Sequence, residues 1–209
     1  MRLSVFMVYG YLLLNTWAIN ALVSLQSLMS CQIHTFQSSS YSDETVNHLF
    51  MGMAIEEAQA AGRRGEVPIG AIVVLNQTVS ECESTPSIYR FKVASRGRNS
   101  VEKSRDASAH AEVVALRRAA QRLGNWRLLG CTLYTTVEPC PMCLAAAQAF
   151  RVERIVYGAP DLRLGAIKTH MTLLDVKHPF HEVSSVEGGV RETESANLLR
   201  AFFRQRREG

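Results

Sequence analysis

Two short stretches, His110-Ala111-Glu112 and Pro139-Cys140-Pro141-Met142-Cys143, gather an imidazole, a carboxylate and two thiols. An imidazole nitrogen and two thiolates make three of the four ligands of a tetrahedral Zn²⁺. The open fourth position is what separates a catalytic zinc from a structural one. Water held there has its pKa lowered from about 15.7 to roughly 7, which yields hydroxide at neutral pH. Glu112, two residues from His110, is then free to take the proton and deliver it to a leaving group. The expected chemistry is hydrolysis by a zinc hydroxide, with His110, Cys140 and Cys143 as ligands and Glu112 as proton shuttle.

Blander readings account for less. A C-x-x-C pair standing alone reads equally as half of a structural zinc site or as a redox dithiol. A Cys₄ site needs a second pair, and Cys31, Cys82 and Cys131 are dispersed. A redox dithiol leaves His110 and Glu112 without a role.

These side chains need elements to hold them. Cysteines three apart can present both sulfurs on one side of a helix start, where the helix dipole favours thiolate. Pro139 and Pro141 suit a chain entering a helix, where a missing N–H costs little. His110 opens an apolar-periodic run through Val113, Leu116, Ala120 and Leu123, with Ser108 expected as its N-cap. Two helix starts should therefore converge on one metal. Upstream, Ser42 or Asp43 begins a helix whose apolar face is Val46, Leu49, Phe50, Met53, Ala54, Ala58 and Ala61, ended by Gly62 and Gly65. A buried strand is expected at 69–75 and its partner at 91–95, with the polar insertion 76–90 between them as a loop. Strands at 131–137 and at 154–157, the latter broken by Gly158, flank the cysteine helix, and a last helix spans 193–207. Strand, helix, strand order favours parallel pairing with a right-handed crossover. The fold class is α/β, a three-layer α/β/α sandwich with a mixed central sheet and the metal at strand ends.

With 209 residues the chain fits one catalytic domain, 43–209, behind a leading segment, 1–42. A formal charge of +4 neither demands nor excludes nucleic acid. Five cysteines, two of them assigned to metal, argue against a disulfide framework and for a reducing compartment. Arg2 precedes an apolar stretch and then serine-rich sequence, with no acidic residue before Asp43. That order reads as a targeting peptide, with a membrane anchor as the rival. The expectation is an organelle, a plastid before a mitochondrion, with the cytoplasm as the alternative and no stable membrane association once the leader is removed.

H-x-E with P-C-x-x-C downstream is the signature of zinc nucleobase deaminases. The chain more specifically resembles the bacterial-type tRNA-specific adenosine deaminases of the cytidine deaminase-like superfamily. Carrying the resemblance are Gly65-Glu66-Val67-Pro68-Ile69-Gly70-Ala71, Arg98-Asn99, Asp106-Ala107-Ser108-Ala109-His110-Ala111-Glu112, Asn125-Trp126-Arg127-Leu128, Glu138-Pro139-Cys140 and the tail Phe202-Phe203-Arg204-Gln205-Arg206-Arg207. It implies conversion of the wobble adenosine of a tRNA anticodon to inosine, one Zn²⁺, and a homodimer. By position it also implies that Asn99 and the Ala111 backbone meet the base. Asp161 would lie near the anticodon ribose and phosphate, and Phe202, Arg204 and Arg206 would contact RNA. Pro160 and Arg163-Leu164 depart from the family's pattern, which has a basic residue and then Lys-Thr-Gly-Ala over this loop. The alternative substrate class is a free nucleobase or nucleoside of the cytosine or guanine type, for which the basic tail is only a solvated helix face.

Overall fold

The computed structural model describes residues 33–37, 42–79 and 88–208. Most of the expected leader and the centre of the expected insertion lie outside these residues. Ser42 is the N-cap of α1 (Asp43–Gly62): its backbone is extended and its hydroxyl accepts from the Thr45 amide at 3.2 Å. Asp43 and Glu44 in the first turn complement the helix dipole.

The sheet has six strands in the order β1-β3-β2-β4-β5-β6. They are β1 (Ile33–Gln37), β2 (Gly70–Val79), β3 (Ile88–Arg98), β4 (Cys131–Val137), β5 (Arg154–Ala159) and β6 (Ser185–Gly188). β2 pairs antiparallel with both β3 and β4, while β4, β5 and β6 run parallel, so the sheet is mixed as expected.

Strand alternation sorts the core into two layers. Ile72, Val74, Phe91, Val93, Tyr134 and Val156 face α1, packing with Val46, Phe50, Met51, Ala54 and Leu198 of α5 (Glu192–Glu208). Ala71, Val73, Ala94, Leu133 and Ile155 face the other way, onto α3 (Ala111–Leu123) and α4 (Pro141–Ala149), with a single turn of helix, α2 (Val101–Ser104), between β3 and α3. The result is three layers. Gly97 of β3 sets how close α3 can come: a Cβ there would collide with the Ala111 carbonyl and the Ala115 amide.

Three local expectations change. The polar stretch after Leu75 is not all loop, because β2 and β3 stay paired out to Val79 and Ile88. Asn76 and Gln77 are exposed, so this end of the hairpin carries polar side chains without leaving the ladder. Ser108 is not the N-cap of α3; its amide and hydroxyl both donate to Asp106 Oδ1, at 2.8 and 2.7 Å, and the cap position belongs to His110. Gly158 does not break β5. A Cβ there would lie 2.6 Å from the Thr136 carbonyl and 2.5 Å from Ser195 Oγ of α5, so the glycine marks close approach within the strand. β6, half-exposed and only four residues long, has no sequence signal to announce it.

Candidate active site

Both stretches singled out by their chemistry lie where an element begins. His110 is the N-cap of α3 and Cys140 the N-cap of α4, with Pro141 at the first helical position. β4, buried along its whole length, runs through Glu138-Pro139 into Cys140. The two helix starts meet. His110 Nδ1 is 3.7 Å from Cys140 Sγ and 3.5 Å from Cys143 Sγ, and the three ligand atoms lie within 4.8 Å of one another. Bonds of about 2.3 Å to sulfur and about 2.0–2.1 Å to nitrogen, opened at the tetrahedral angle, would separate nitrogen from sulfur by about 3.6 Å. The observed spacings therefore fit a tetrahedral ion, and two sulfurs with one imidazole suit zinc.

Electrostatics prepare the thiols. A hydrogen bond from the Cys143 thiol, aided by His110, outweighs burial and pulls the Cys140 pKa down to about 4. Cys143 is pushed up by that same bond and by its burial. The shared proton is what a bound cation displaces. The bond with Cys140 raises the His110 pKa despite burial. Glu112 is 4% exposed, and burial raises its pKa. Its Oε1 accepts from the Thr135 hydroxyl at 3.3 Å.

A cavity of about 290 Å³ opens onto His110, Glu112 and Cys140. That is the small end of ligand clefts. Asn99 and Asp161 line it, as do Phe203 and Arg206 from the C-terminal helix. Arg163 also lines it, with its guanidinium carbon 5.6 Å from the Phe203 ring centroid. Arg206 stacks over Phe202 at 5.0 Å and donates to the Gly65 carbonyl at 3.0 Å. Phe202 and Arg204 are not among the lining residues, and Ala111 is fully buried beneath His110. Sequence reasoning named Phe202 where Phe203 faces the cavity. Consecutive helical positions point about 100° apart, and the register could not be fixed from the sequence.

Two buried carboxylates in the wall were not singled out by their chemistry. Glu66 accepts from Asn99 Nδ2 at 3.1 Å and from the amides of Glu102 and Lys103 at 3.4 and 2.8 Å. Glu138 accepts from the amides of Ile167, Lys168 and Thr169 at 3.0, 2.7 and 3.0 Å, from the Asp161 amide at 3.3 Å, and from the Thr169 hydroxyl. Burial opposes charge on Glu138, but the Thr169 hydroxyl and these amides together hold its carboxyl below the usual range. Asp161 Oδ1 accepts from the amides of Arg163 and Leu164, at 2.9 and 3.3 Å, bracing the loop from within.

The family model of MafB19-like deaminases matches residues 46–207. A tRNA-specific adenosine deaminase of Bacillus subtilis is 40% identical over 164 residues, covering 78% of this chain and 92% of that protein. The chain belongs to the tRNA-specific adenosine deaminases. Within that deaminase family, the chloroplastic tRNA(adenine(34)) deaminase of Arabidopsis thaliana is 36% identical over 177 residues, which is 78% of this chain but only 12% of that much longer protein. A structure solved in work on A-to-I editing by tRNA:A34 deaminases at the wobble position superposes with TM-score 0.61 at 38% identity, covering 72% of this chain and 99% of that one. The deaminase fold is thus shared across α1 to α5, the span of the family match.

Proposed function

We propose that this deaminase converts adenosine to inosine at the wobble position of a tRNA anticodon. The observation that carries the reading is the His110, Cys140 and Cys143 cluster beside buried Glu112, at a cavity walled by the C-terminal aromatic and basic helix. Water and adenine give hypoxanthine and ammonia: the C6–N bond breaks as a C6–O bond forms. His110 Nδ1 and the two sulfurs would hold Zn²⁺, which when bound supplies a water that deprotonates near neutral pH. Glu112, with its pKa raised by burial, takes up a proton there and returns it to the ring nitrogen and then to the departing amine. Asn99 reads the base edge, and Asp161, Arg163, Phe203 and Arg206 receive the nucleotide around it. A base in a folded loop must be splayed out to enter so small a cavity, as single-stranded RNA recognition allows.

The reading extends to a homodimer and to an organelle, a plastid before a mitochondrion, supported by the chloroplastic relative and by the hydroxyl-rich, acid-poor leading sequence. Among the described residues no helix is long and apolar enough to cross a membrane. The test is incubation of zinc-loaded protein with an adenosine-bearing anticodon stem-loop, followed by sequencing for inosine, alongside free adenosine, cytosine and guanine. Turnover of a free base with no inosine in the stem-loop would overturn the substrate assignment.

A further inference from the structure

Glu66 has no part in metal binding or proton transfer, yet it is 2% exposed and lines the same cavity as Glu112. Its three bonds are all accepted from donors. Two come from the backbone amides of Glu102 and Lys103, and the third from Asn99 Nδ2. A carboxylate can only accept, so the Asn99 carboxamide has one permitted orientation. Turning it over would set Oδ1 against a carboxylate oxygen at 3.1 Å. Asn99 is itself 5% exposed, and its backbone amide is held by the Ile69 carbonyl at 3.0 Å, so neither its main chain nor its side chain is free to re-aim. What remains for a base is Oδ1 and the second Nδ2 hydrogen, an acceptor and a donor in fixed order.

We infer that Glu66 is a positioning residue that fixes the Asn99 amide and thereby sets which donor and acceptor the cavity offers to the base. This rests on the reading of Asn99 as the base-contacting residue. Glu66→Gln is the informative substitution. Oε2 serves both Asn99 Nδ2 and the Glu102 amide, while Oε1 serves the Lys103 amide at 2.8 Å; a Gln that keeps its oxygen on the shorter Lys103 bond puts its N–H group towards Asn99, which then turns over and exchanges donor for acceptor in the cavity.

The test is a double-mutant cycle read on whichever substrate the unmodified protein converts, stem-loop or free base, so that failure of the tRNA assignment does not count against it. Glu66→Gln in the zinc-loaded chain is expected to lower kcat/KM about tenfold or more. In an Asn99→Ala background the same change should cost less than about twofold, because the group it acts through is gone. Zinc stoichiometry should stay unchanged in all of these. Equal losses in both backgrounds would make Glu66 a purely structural support for the segment at 99–103 and overturn the proposal. So would no loss in the first background. Should Glu66→Gln be insoluble, Glu66→Asp, which keeps the charge on a shorter arm, enters the same cycle; insolubility of both would likewise assign Glu66 to the fold and overturn the inference.

Discussion

At the residue scale the site divides its labour between groups close in sequence and different in kind. Glu112 stands outside the three-residue donor cluster of His110, Cys140 and Cys143, so metal content and turnover should separate. Glu112→Ala is expected to keep one zinc per chain by metal analysis while kcat falls by about 10²-fold or more. Cys140→Ala should lose the zinc; unchanged zinc in that variant would refute the ligand assignment. These four residues were legible in the sequence because few other constellations use one imidazole, one carboxylate and two thiols at this spacing. Glu66 and Glu138 were not. A glutamate carries the same letter whether it is a solvated charge or a buried acceptor of three or more donors, and only the fold shows that Glu138 faces the amides at 167–169.

At the element scale, helix starts were read well and strand limits poorly. Of the two start residues the sequence leaves open, Ser42 or Asp43, Ser42 is the cap, its hydroxyl engaged by Thr45, whereas Asp106 takes both polar groups of Ser108. β2 and β3 outrun the apolar core that reveals them, so their polar ends looked like loop. Packing between elements predicts two outcomes. Gly97→Ala should cost about 1–3 kcal/mol in chemical denaturation, since α3 must back away from β3. It should also lower activity, because His110 and Glu112 move with α3. Glu138→Gln should cost about 2–3 kcal/mol at neutral pH, the scale of bonds to a charged acceptor. The folded pKa of Glu138 is depressed below 4.5. Its stabilisation is therefore complete above that value and is lost as pH falls through the folded pKa. Thermal melts of the native and Gln chains should differ at pH 7 and converge in acid; a constant offset down to pH 3 would contradict the assignment.

At the scale of the whole molecule, the sheet brings β3, β4 and the C-terminal helix to one end, and the cavity needs all three. Truncation after Asn197 removes Phe203 and Arg206 from the wall and Leu198 from the core facing α1. Phe203→Ala and Arg206→Ala spare Leu198 and are the cleaner probes. Each should raise KM for a stem-loop severalfold with a smaller change in kcat, read by steady-state kinetics. The layer order, the mixed sheet and the convergence of two helix starts were accessible from pattern alone, since each follows from periodicity and strand-helix alternation. The partner of each loop was not, because such contacts join residues far apart in the chain by main-chain atoms that every residue type carries. The grip of Glu138 illustrates what that permits. It holds the loop almost wholly through backbone N–H groups, with Thr169 the one side chain engaged, so drift at positions such as 160, 163 and 164 leaves the hold intact. Pro160 and Arg163-Leu164 supply none of the N–H groups that Glu138 holds. The same latch that keeps the loop in place leaves its outward chemistry open to evolutionary change.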